Sequence, residues 1–426
     1  MTTRIELNHL ARVEGHGGVT VELDGDQVRT AHLEIFEGAR LIEGLVRGRR
    51  YDEVAPLVSR ICAICSAAHT LASLAATERA FGVTPSPETL LLRDLLLRGE
   101  SIESHALHVF LLAAPDYLNA PSAIALAAEH RDVVALGLRL KRLGNAIQEI
   151  VGGRAIHPVN AVPGGFGSRP SMDKLVRLHA ALEEGVADVQ ATLDFVATLP
   201  PQDAGRSESA YAATWLPAGY GYEAADQIAI ELGGRRELVP ASAYRTIVAE
   251  RTVAHSHAKH SRWDGAPITV GALARIAVNG GRLPPSGVAA AARLGLVPPF
   301  EDPLANNAAQ AVELVVDVER ALELVDQLLH APAAPAAPVP IVPREGQGTA
   351  ALEAPRGLLI HSYTYDRQGR LRQADIITPT AINAASIEHR LRKAVEQSPA
   401  RDEASLTHRL EMVVRAYDPC LSCSVH

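Results

Sequence analysis

The C-terminal stretch 417–426 reads YDPCLSCSVH and places two cysteines and a histidine within the last seven residues of the chain. Chain ends usually fray, so reactive side chains at this position need partners elsewhere in the fold. A matching stretch, SRICAICSAAHT, lies at 59–70. The chain's four cysteines form two Cys-x-x-Cys pairs: Cys62, Cys65, Cys420 and Cys423. A site that uses both pairs can form only after the chain has folded around it.

The spacing of the cysteines leaves more than one interpretation open. Four thiolates can bind zinc, but zinc ribbons and knuckles usually keep their two pairs within a few tens of residues. Each pair could instead be a reduced dithiol of a redox motif. The spacing favours a four-thiolate metal site over the other interpretations. Soft thiolates suit a transition metal better than they suit a hard ion.

The composition indicates a globular chain of 426 residues, with 47% hydrophobic and 21% charged residues. A net charge of -8 and the lack of a basic run argue against nucleic-acid binding. No apolar stretch approaches the roughly 20 residues that span a bilayer, and the N-terminus has no apolar signal segment. We therefore expect a cytoplasmic protein without a membrane span.

Hydrophobic periodicity predicts an α+β fold that is predominantly α. Residues 4–36 alternate like strands around an Asp24-Gly25 turn, and 85–200 has the three- and four-residue spacing of long helices. We expect a long-helix bundle, an N-terminal antiparallel β-hairpin region and a C-terminal segment folded back into the core.

The same patterns divide the chain into four regions of one interwoven unit. They are an N-terminal β region at 1–50, a helical core at 51–329, an Ala/Pro-rich connection at 330–350 and a C-terminal region at 351–426. The first cysteine pair falls in the helical core and the second in the C-terminal region. Because alanine–proline runs break helices, we expect the connection to lie on the surface.

Specific motifs surround the two cysteine pairs. Arg60 and His69 complete Arg-x-Cys-x-x-Cys-x-x-x-His around the first pair, and the second fits Asp-Pro-Cys-x-x-Cys-x-x-His. Further blocks are ARVEGHGG (11–18), IHPVNAVPGG (156–165), APRGLLIH (354–361) and ITPTAIN (377–383). With these motifs, nearly the whole chain resembles the large subunit of nickel–iron hydrogenases. The resemblance implies reversible heterolytic cleavage of H2.

The resemblance also implies a ligand set for the metals. Cys62 and Cys420 would be terminal nickel ligands, and Cys65 and Cys423 would bridge nickel to an iron that carries carbon monoxide and cyanide. His426, Glu43 and a backbone carbonyl, expected at Ala384, would hold a structural magnesium. In the family a peptide after the terminal histidine is removed once the metals are inserted, and the new terminus then closes the site.

Five residues receive functional roles from the resemblance. Glu14 would relay protons from the Cys420 thiolate, with a surface carboxylate as the simpler interpretation. Arg356 would face a cyanide and is a rival base, with an ordinary surface arginine as the simpler interpretation. Asp418 would hold Arg356 by a charge-assisted hydrogen bond, and Thr380 would donate to the other cyanide.

Two local features complete the comparison with the family. Ser104 stands in ESHALH where many membrane-bound relatives carry an aspartate, which favours the cytosolic NAD(P)-linked or sulfhydrogenase-like branch. The stretch 255–261, HSHAKHS, brings His255, His257 and His260 together in sequence. No fourth ligand is evident there, so we expect a structural role for these histidines.

The expected partners follow from the cysteine count. An iron–sulfur cluster needs its own thiolates, so electrons would leave through an iron–sulfur small subunit, with flavin and NAD(P) on further subunits. A regulatory H2-sensing subunit is the main alternative, and a zinc-stapled scaffold is another. A respiratory complex I-like subunit would lack the paired cysteines.

Overall fold

Helices and small sheets alternate along the chain in a computed structural model, which describes residues 2–25, 27–217, 219–331, 337–400 and 402–426. The helices are α1 (Ile42–Val46), α2 (Tyr51–Val58), α3 (Ser66–Phe81), α4 (Pro87–Leu107), α5 (Ala114–Tyr117), α6 (Ala123–Glu129), α7 (Arg131–Gly152), α8 (Met172–Thr198), α9 (Ala272–Asn279), α10 (Pro285–Arg293), α11 (Ala305–His330), α12 (Pro379–Glu396) and α13 (Glu403–Ala416).

The strands are short and lie in several separate sheets. They are β1 (Thr2–Leu7), β2 (Gly17–Asp24), β3 (Gln27–Ile35), β4 (Ala161–Val162), β5 (Gly165–Phe166), β6 (Ala210–Trp215), β7 (Gln227–Leu232), β8 (Arg235–Pro240), β9 (Arg251–Val253), β10 (Ser256–His260), β11 (Arg262–Trp263), β12 (Ala266–Thr269), β13 (Gly346–Ala354), β14 (Gly357–Tyr365) and β15 (Leu371–Ile377). The predicted α+β fold class is confirmed.

Four long helices, α4, α7, α8 and α11, pack together as the predicted bundle. α4 starts where the Ser86 hydroxyl accepts the Thr89 N–H at 3.2 Å, an N-cap that satisfies a donor the helix leaves free. α4 and α7 approach closely at Gly144, where an added Cβ would lie 2.5 Å from the Gly99 carbonyl oxygen. Their apolar faces are buried, which gives the bundle its core.

The N-terminal region forms an antiparallel sheet in the order β1-β2-β3. The predicted hairpin pairs Asp24 with Gln27 at its end, as expected from the Asp24-Gly25 step. Buried residues alternate along β3, so one face of the sheet packs on the second hydrophobic cluster together with α12 and α13. The N-terminal sheet is thereby joined to the C-terminal helices.

The region 51–329, expected to be a helical core, also contains strands β6–β12. Five of them form a sheet in the order β11-β12-β6-β7-β8, and β9 and β10 form a separate two-stranded ribbon. Each has six residues or fewer. Strands this short contain too few alternations for periodicity to identify them.

A third sheet, β13-β14-β15, packs against α3 and leads to the C-terminal helices. Residues 332–336 of the predicted Ala/Pro-rich connection lie outside the described residues. Within the described part, 337–345 has neither helix nor strand, whereas His330 ends α11 and 346–350 begin β13. The Val339 N–H donates to the Gly164 carbonyl at 3.0 Å. None of the helices in the described ranges combines the length and apolar character of a membrane-crossing segment.

Candidate metal centre

The first cysteine pair is positioned by the start of α3. Cys62 has extended backbone after a short 3-10 turn, and Cys65 is the N-cap of α3. The Cys65 N–H points at the Cys62 sulfur, 3.4 Å away. The buried Glu100 of α4 accepts the N–H groups of Ala67 and Ala68 at 2.6 and 3.0 Å. Glu100 thus satisfies donors that a helix start leaves free.

The second pair lies on the tail that follows α13. Asp418 has a left-handed backbone with φ of 49°, which aspartate tolerates better than most residues. The Cys420 N–H donates to the Thr380 hydroxyl at 2.9 Å, and the Leu421 N–H donates to the Glu14 carbonyl at 2.8 Å. The tail is therefore held by segments from both ends of the chain.

Gly15 explains why the N-terminal motif carries a glycine beside Glu14. Its φ is +89°, and an added Cβ would lie 2.8 Å from both the Leu421 Cβ and the Ser422 nitrogen. A side chain here would strain the backbone and push the terminal tail away. The close approach of these two segments thus depends on this residue.

The four sulfurs form one buried cluster, although the pairs are far apart in sequence. The distance between the Cys62 and Cys420 sulfurs is 3.1 Å, and that between the Cys65 and Cys423 sulfurs is 3.3 Å. All four sulfurs lie within 4.8 Å of one another, and each residue is at most 3% exposed. Burial raises the pKa of the Cys423 thiol. The cluster therefore fits a cation, which would balance the charge of ionised thiolates.

Arg356 lies at the tip of the β13–β14 hairpin and contacts the terminal tail. Its Nε donates to the Asp418 carbonyl at 2.6 Å and its Nη2 to Asp418 Oδ1 at 2.9 Å. Its Nη1 is buried and has no hydrogen-bond partner in the described part of the chain. A buried donor without a partner is costly, so an acceptor such as a metal-bound anion fits beside it.

Glu14 contacts the sulfur of Cys420 directly. Its Oε2 lies 2.9 Å from the Cys420 sulfur, and its Oε1 accepts the Ser422 hydroxyl at 2.6 Å. Burial, followed by the nearby Cys420 thiolate, raises the pKa of Glu14 to about 7. The carboxyl group is therefore poised to exchange a proton near neutral pH.

His426 is partly buried at the far end of the tail, and its imidazole is 5% exposed. Its Nδ1 contacts the Cys423 carbonyl at 2.8 Å, and its Nε2 contacts the Ile376 carbonyl at 2.7 Å. Glu43 Oε1 lies 4.0 Å from the same Nε2 and accepts the Ile376 N–H at 2.7 Å. The carbonyl that meets this pair therefore belongs to Ile376, whereas Ala384 lies inside α12, where carbonyls serve helical hydrogen bonds.

A buried chain of hydrogen bonds also extends from the Cys423 sulfur through His69 and His361 to Tyr363. His69 Nε2 lies 3.7 Å from the Cys423 sulfur, and His69 Nδ1 lies 3.1 Å from His361 Nε2. His361 Nδ1 lies 2.6 Å from the Tyr363 hydroxyl. Burial lowers the pKa of His69 to about 3, so this imidazole is neutral. The sequence motifs include His69 and His361, but nothing in their spacing indicates this contact.

Ser104 and Asp116 are two further polar residues that are buried. Ser104 is fully buried in α4, and its hydroxyl has no hydrogen-bond partner among the described residues. Asp116 of α5 pairs with Arg415 at 2.7 Å and with Arg12 at 2.5 Å. Because Arg415 lies in the last turn of α13 and Arg12 belongs to the N-terminal motif, this ion cluster joins the two segments that carry Glu14 and Cys420. The sequence motifs did not indicate it.

A buried four-cysteine cluster with an arginine and a glutamate on its edge is the site of a nickel-dependent hydrogenase, and the chain belongs to that family. The family profile "Nickel-dependent hydrogenase" matches residues 40–142 and 238–426, and a profile described as "HoxL-like" matches 4–37. The chain is a nickel–iron hydrogenase large subunit, the catalytic subunit of an enzyme that oxidises or forms H2.

Particular relatives are similar over nearly their whole length. The alpha subunits of sulfhydrogenases 1 and 2 of Pyrococcus furiosus are 39% and 38% identical to the chain; each match covers 99% of it and 97% and 98% of those proteins. The structure of an NAD+-reducing [NiFe]-hydrogenase in the H2-reduced state superposes with a TM-score of 0.87 at 27% identity, covering 100% of this chain and 99% of that one. The printed names of the two sulfhydrogenase relatives identify each of them as one subunit of its enzyme.

Proposed function

We propose that the chain activates H2 at the four-cysteine cluster and passes protons through Glu14, while a partner subunit takes the electrons. The observation that carries this proposal is the single buried cluster in which one sulfur, that of Cys420, contacts a carboxyl group at 2.9 Å. A metal–sulfur centre with an adjacent proton acceptor suits heterolytic cleavage of H2.

The four cysteines would hold a nickel–iron centre that carries carbon monoxide and cyanide. We assign Cys62 and Cys420 to nickel alone, and Cys65 and Cys423 to both metals. When bound, the nickel–iron centre supplies the Lewis-acid and redox chemistry that polarises H2. The protein holds this centre away from water, since all four cysteines are buried.

Proton movement would run from Cys420 to Glu14. The Cys420 sulfur and Glu14 Oε2 are within hydrogen-bond reach, and the Glu14 pKa of about 7 suits a group that both accepts and releases a proton. Ser422 donates to the other carboxylate oxygen at 2.6 Å and so fixes its orientation. Arg356 is the rival base, but its bonds to Asp418 favour a fixed cation.

Arg356 and Thr380 would orient the diatomic ligands of iron. The free Nη1 of Arg356 is a permanently charged donor for one cyanide. The Thr380 hydroxyl accepts the Cys420 N–H, which leaves its own proton for a second acceptor. Asp418 holds Arg356 through two contacts and so acts as a positioning residue.

A magnesium ion would lock the terminal tail. We assign it to His426, Glu43 and the Ile376 carbonyl, in place of the Ala384 carbonyl expected from the sequence. The contacts of Ile376 with both side chains support this revision. Oxygen ligands suit magnesium, and the imidazole completes the set.

Electrons would leave through iron–sulfur clusters of the small subunit, because the chain's only four cysteines all belong to the cluster. Subunits with flavin and NAD(P) would follow, which the likeness to the NAD+-reducing enzyme supports.

Similarity to sulfhydrogenase alpha subunits favours a catalytic subunit over an H2 sensor. The cytoplasmic location expected from the sequence stays a prediction.

The decisive experiment is metal analysis of the purified enzyme together with infrared spectroscopy. We expect one nickel per chain, iron in excess of nickel because the partner's clusters also contain iron, and absorption bands for bound carbon monoxide and cyanide. Replacement of Arg356 by Lys should keep the metals but shift the cyanide bands, because lysine lacks the planar donor set. Zinc in place of nickel, with no such bands, would contradict the proposal.

A further inference from the structure

A second group of metal-ligating side chains lies outside the four-cysteine cluster. It consists of His255, His260 and Glu388, whose ligand atoms lie within 4.8 Å of one another. His255 Nε2 is 2.6 Å from Glu388 Oε1, and His260 Nδ1 is 3.6 Å from Glu388 Oε2. Glu388 belongs to α12, so the group joins residues that are more than a hundred positions apart in sequence.

The irregular start of β10 makes this arrangement possible. In a regular strand, residues five positions apart face opposite sides. His255 precedes β10 in a turn, and the pairing of β10 with β9 shifts register between Ser256 and His260. Both imidazoles can therefore face the same carboxylate.

His260 would bind the ion through Nδ1, the nitrogen that lies 3.6 Å from Glu388 Oε2. The residue is only 8% exposed. Its other nitrogen, Nε2, is buried and makes no hydrogen bond among the described residues.

We propose that His255, His260 and Glu388 bind a divalent transition-metal ion of the zinc class. Two imidazoles and one carboxylate, with water as a fourth ligand, are a ligand set that zinc accepts. Bonds of about 2.0–2.1 Å would separate neighbouring ligand atoms by about 3.4 Å. The 3.6 Å separation already fits, and the 2.6 Å separation needs to open by less than about 1 Å.

The surroundings of the group suit a structural metal. Glu388 Oε1 also accepts the Leu33 N–H at 3.0 Å, and His255 stacks on His32 of β3 with ring centroids 3.9 Å apart. These contacts orient the ligands from outside, as supporting residues of metal sites do. The ion would clamp α12, which carries Thr380, to the β9–β10 ribbon, and both contact the N-terminal strand β3.

The test uses the assembled, nickel-loaded enzyme, so that the four cysteines are already occupied. Dialysis against zinc should add one zinc per chain, and zinc-edge X-ray absorption should detect nitrogen and oxygen neighbours without sulfur. Cobalt(II) as a substitute should give visible bands without thiolate charge transfer. Zinc should also raise the unfolding temperature, because it binds only the folded state.

Variants locate the ion. Glu388→Gln and His260→Asn should each lose the added zinc and the temperature shift. His257→Asn is the matched control: His257 lies on the same strand but is exposed, and its Nδ1 contacts the Glu37 carbonyl at 3.0 Å. It should keep both signals.

Three outcomes would overturn the proposal. They are no added zinc in the wild-type enzyme, equal zinc in the wild type and both variants, or sulfur among the zinc neighbours. If Glu388→Gln does not fold, His260→Asn and the wild-type absorption spectrum still decide the question.

Discussion

Cys62 and Cys65 lie at the start of a long helix, whereas Cys420 and Cys423 lie on a tail with only one short 3-10 turn of its own. The first pair is shaped by the start of α3 and by Glu100 on the neighbouring helix α4. The second is held by Glu14, Thr380 and Arg356, which are 40 or more residues away in sequence. The first half of the site can therefore form with α3, but the second half needs the complete fold.

We expect the largest effect from removing one cysteine of either pair, which tests whether both halves of the site are equally necessary. Replacing Cys65 or Cys423 by Ala should abolish H2 oxidation and remove nickel, because each thiolate would serve both metals. Metal analysis and an H2-dependent dye assay measure both quantities. Full activity of a Cys65→Ala chain would contradict the two-metal assignment.

Lengthening the C-terminal tail should disturb the second half of the metal site and leave the first half intact. A short peptide added after His426 should leave nickel weakly bound, because the tail cannot pack between Glu43 and Ile376. Hydrogen exchange should stay slow at 66–81 and become fast at 417–426. A tail-extended chain with full activity and a protected terminus would show that closure does not depend on the chain end.

Glu14→Gln tests whether the contact with the terminal half is chemical or structural. We expect the metals and para/ortho-H2 conversion to be kept, while H/D exchange with solvent slows by about 10²–10⁴-fold, because an amide cannot relay the proton. Glu37→Gln is the control, since Glu37 binds the His16 N–H nearby. If Glu14→Gln loses nickel, its role is to hold the tail.

Gly15→Ala should weaken the terminal half alone. The positive φ costs about 1–2 kcal/mol for a non-glycine residue, and the added Cβ would meet the Leu421 Cβ. We expect faster hydrogen exchange of the tail and lower nickel content, with the bundle unchanged by circular dichroism. Wild-type nickel content and exchange rates would mean that the tail tolerates displacement.

Glu100→Ala is the counterpart in the first half and should affect the site least. It leaves the N–H groups of Ala67 and Ala68 without their acceptor, which should lower the free energy of unfolding by about 1–3 kcal/mol. Nickel content should stay near the wild-type value, because α3 itself still presents the cysteines. A loss of nickel as large as that of Gly15→Ala would remove the distinction between the halves.

Sequence motifs predicted many of the residues that meet at the cluster. The cysteines, Glu14, Arg356 and Asp418 each lie in a motif with a distinctive side chain, and the structure brings them together. Ile376 could not be found this way, because it contributes a backbone carbonyl, which any residue has. Glu388 was missed as the partner of His255 and His260 for another reason: nothing local in sequence connects it to them.

The sequence by itself determined the family, the four-thiolate chemistry and the long helices, because these depend on residue type and short-range periodicity. Tertiary structure alone decided which carbonyl meets His426, how His361 reaches His69, and where the short strands of 210–269 pair. Those features depend on contacts between distant segments. Such contacts are selected by burial and shape in the folded chain, and they have no signature in the local order of residues.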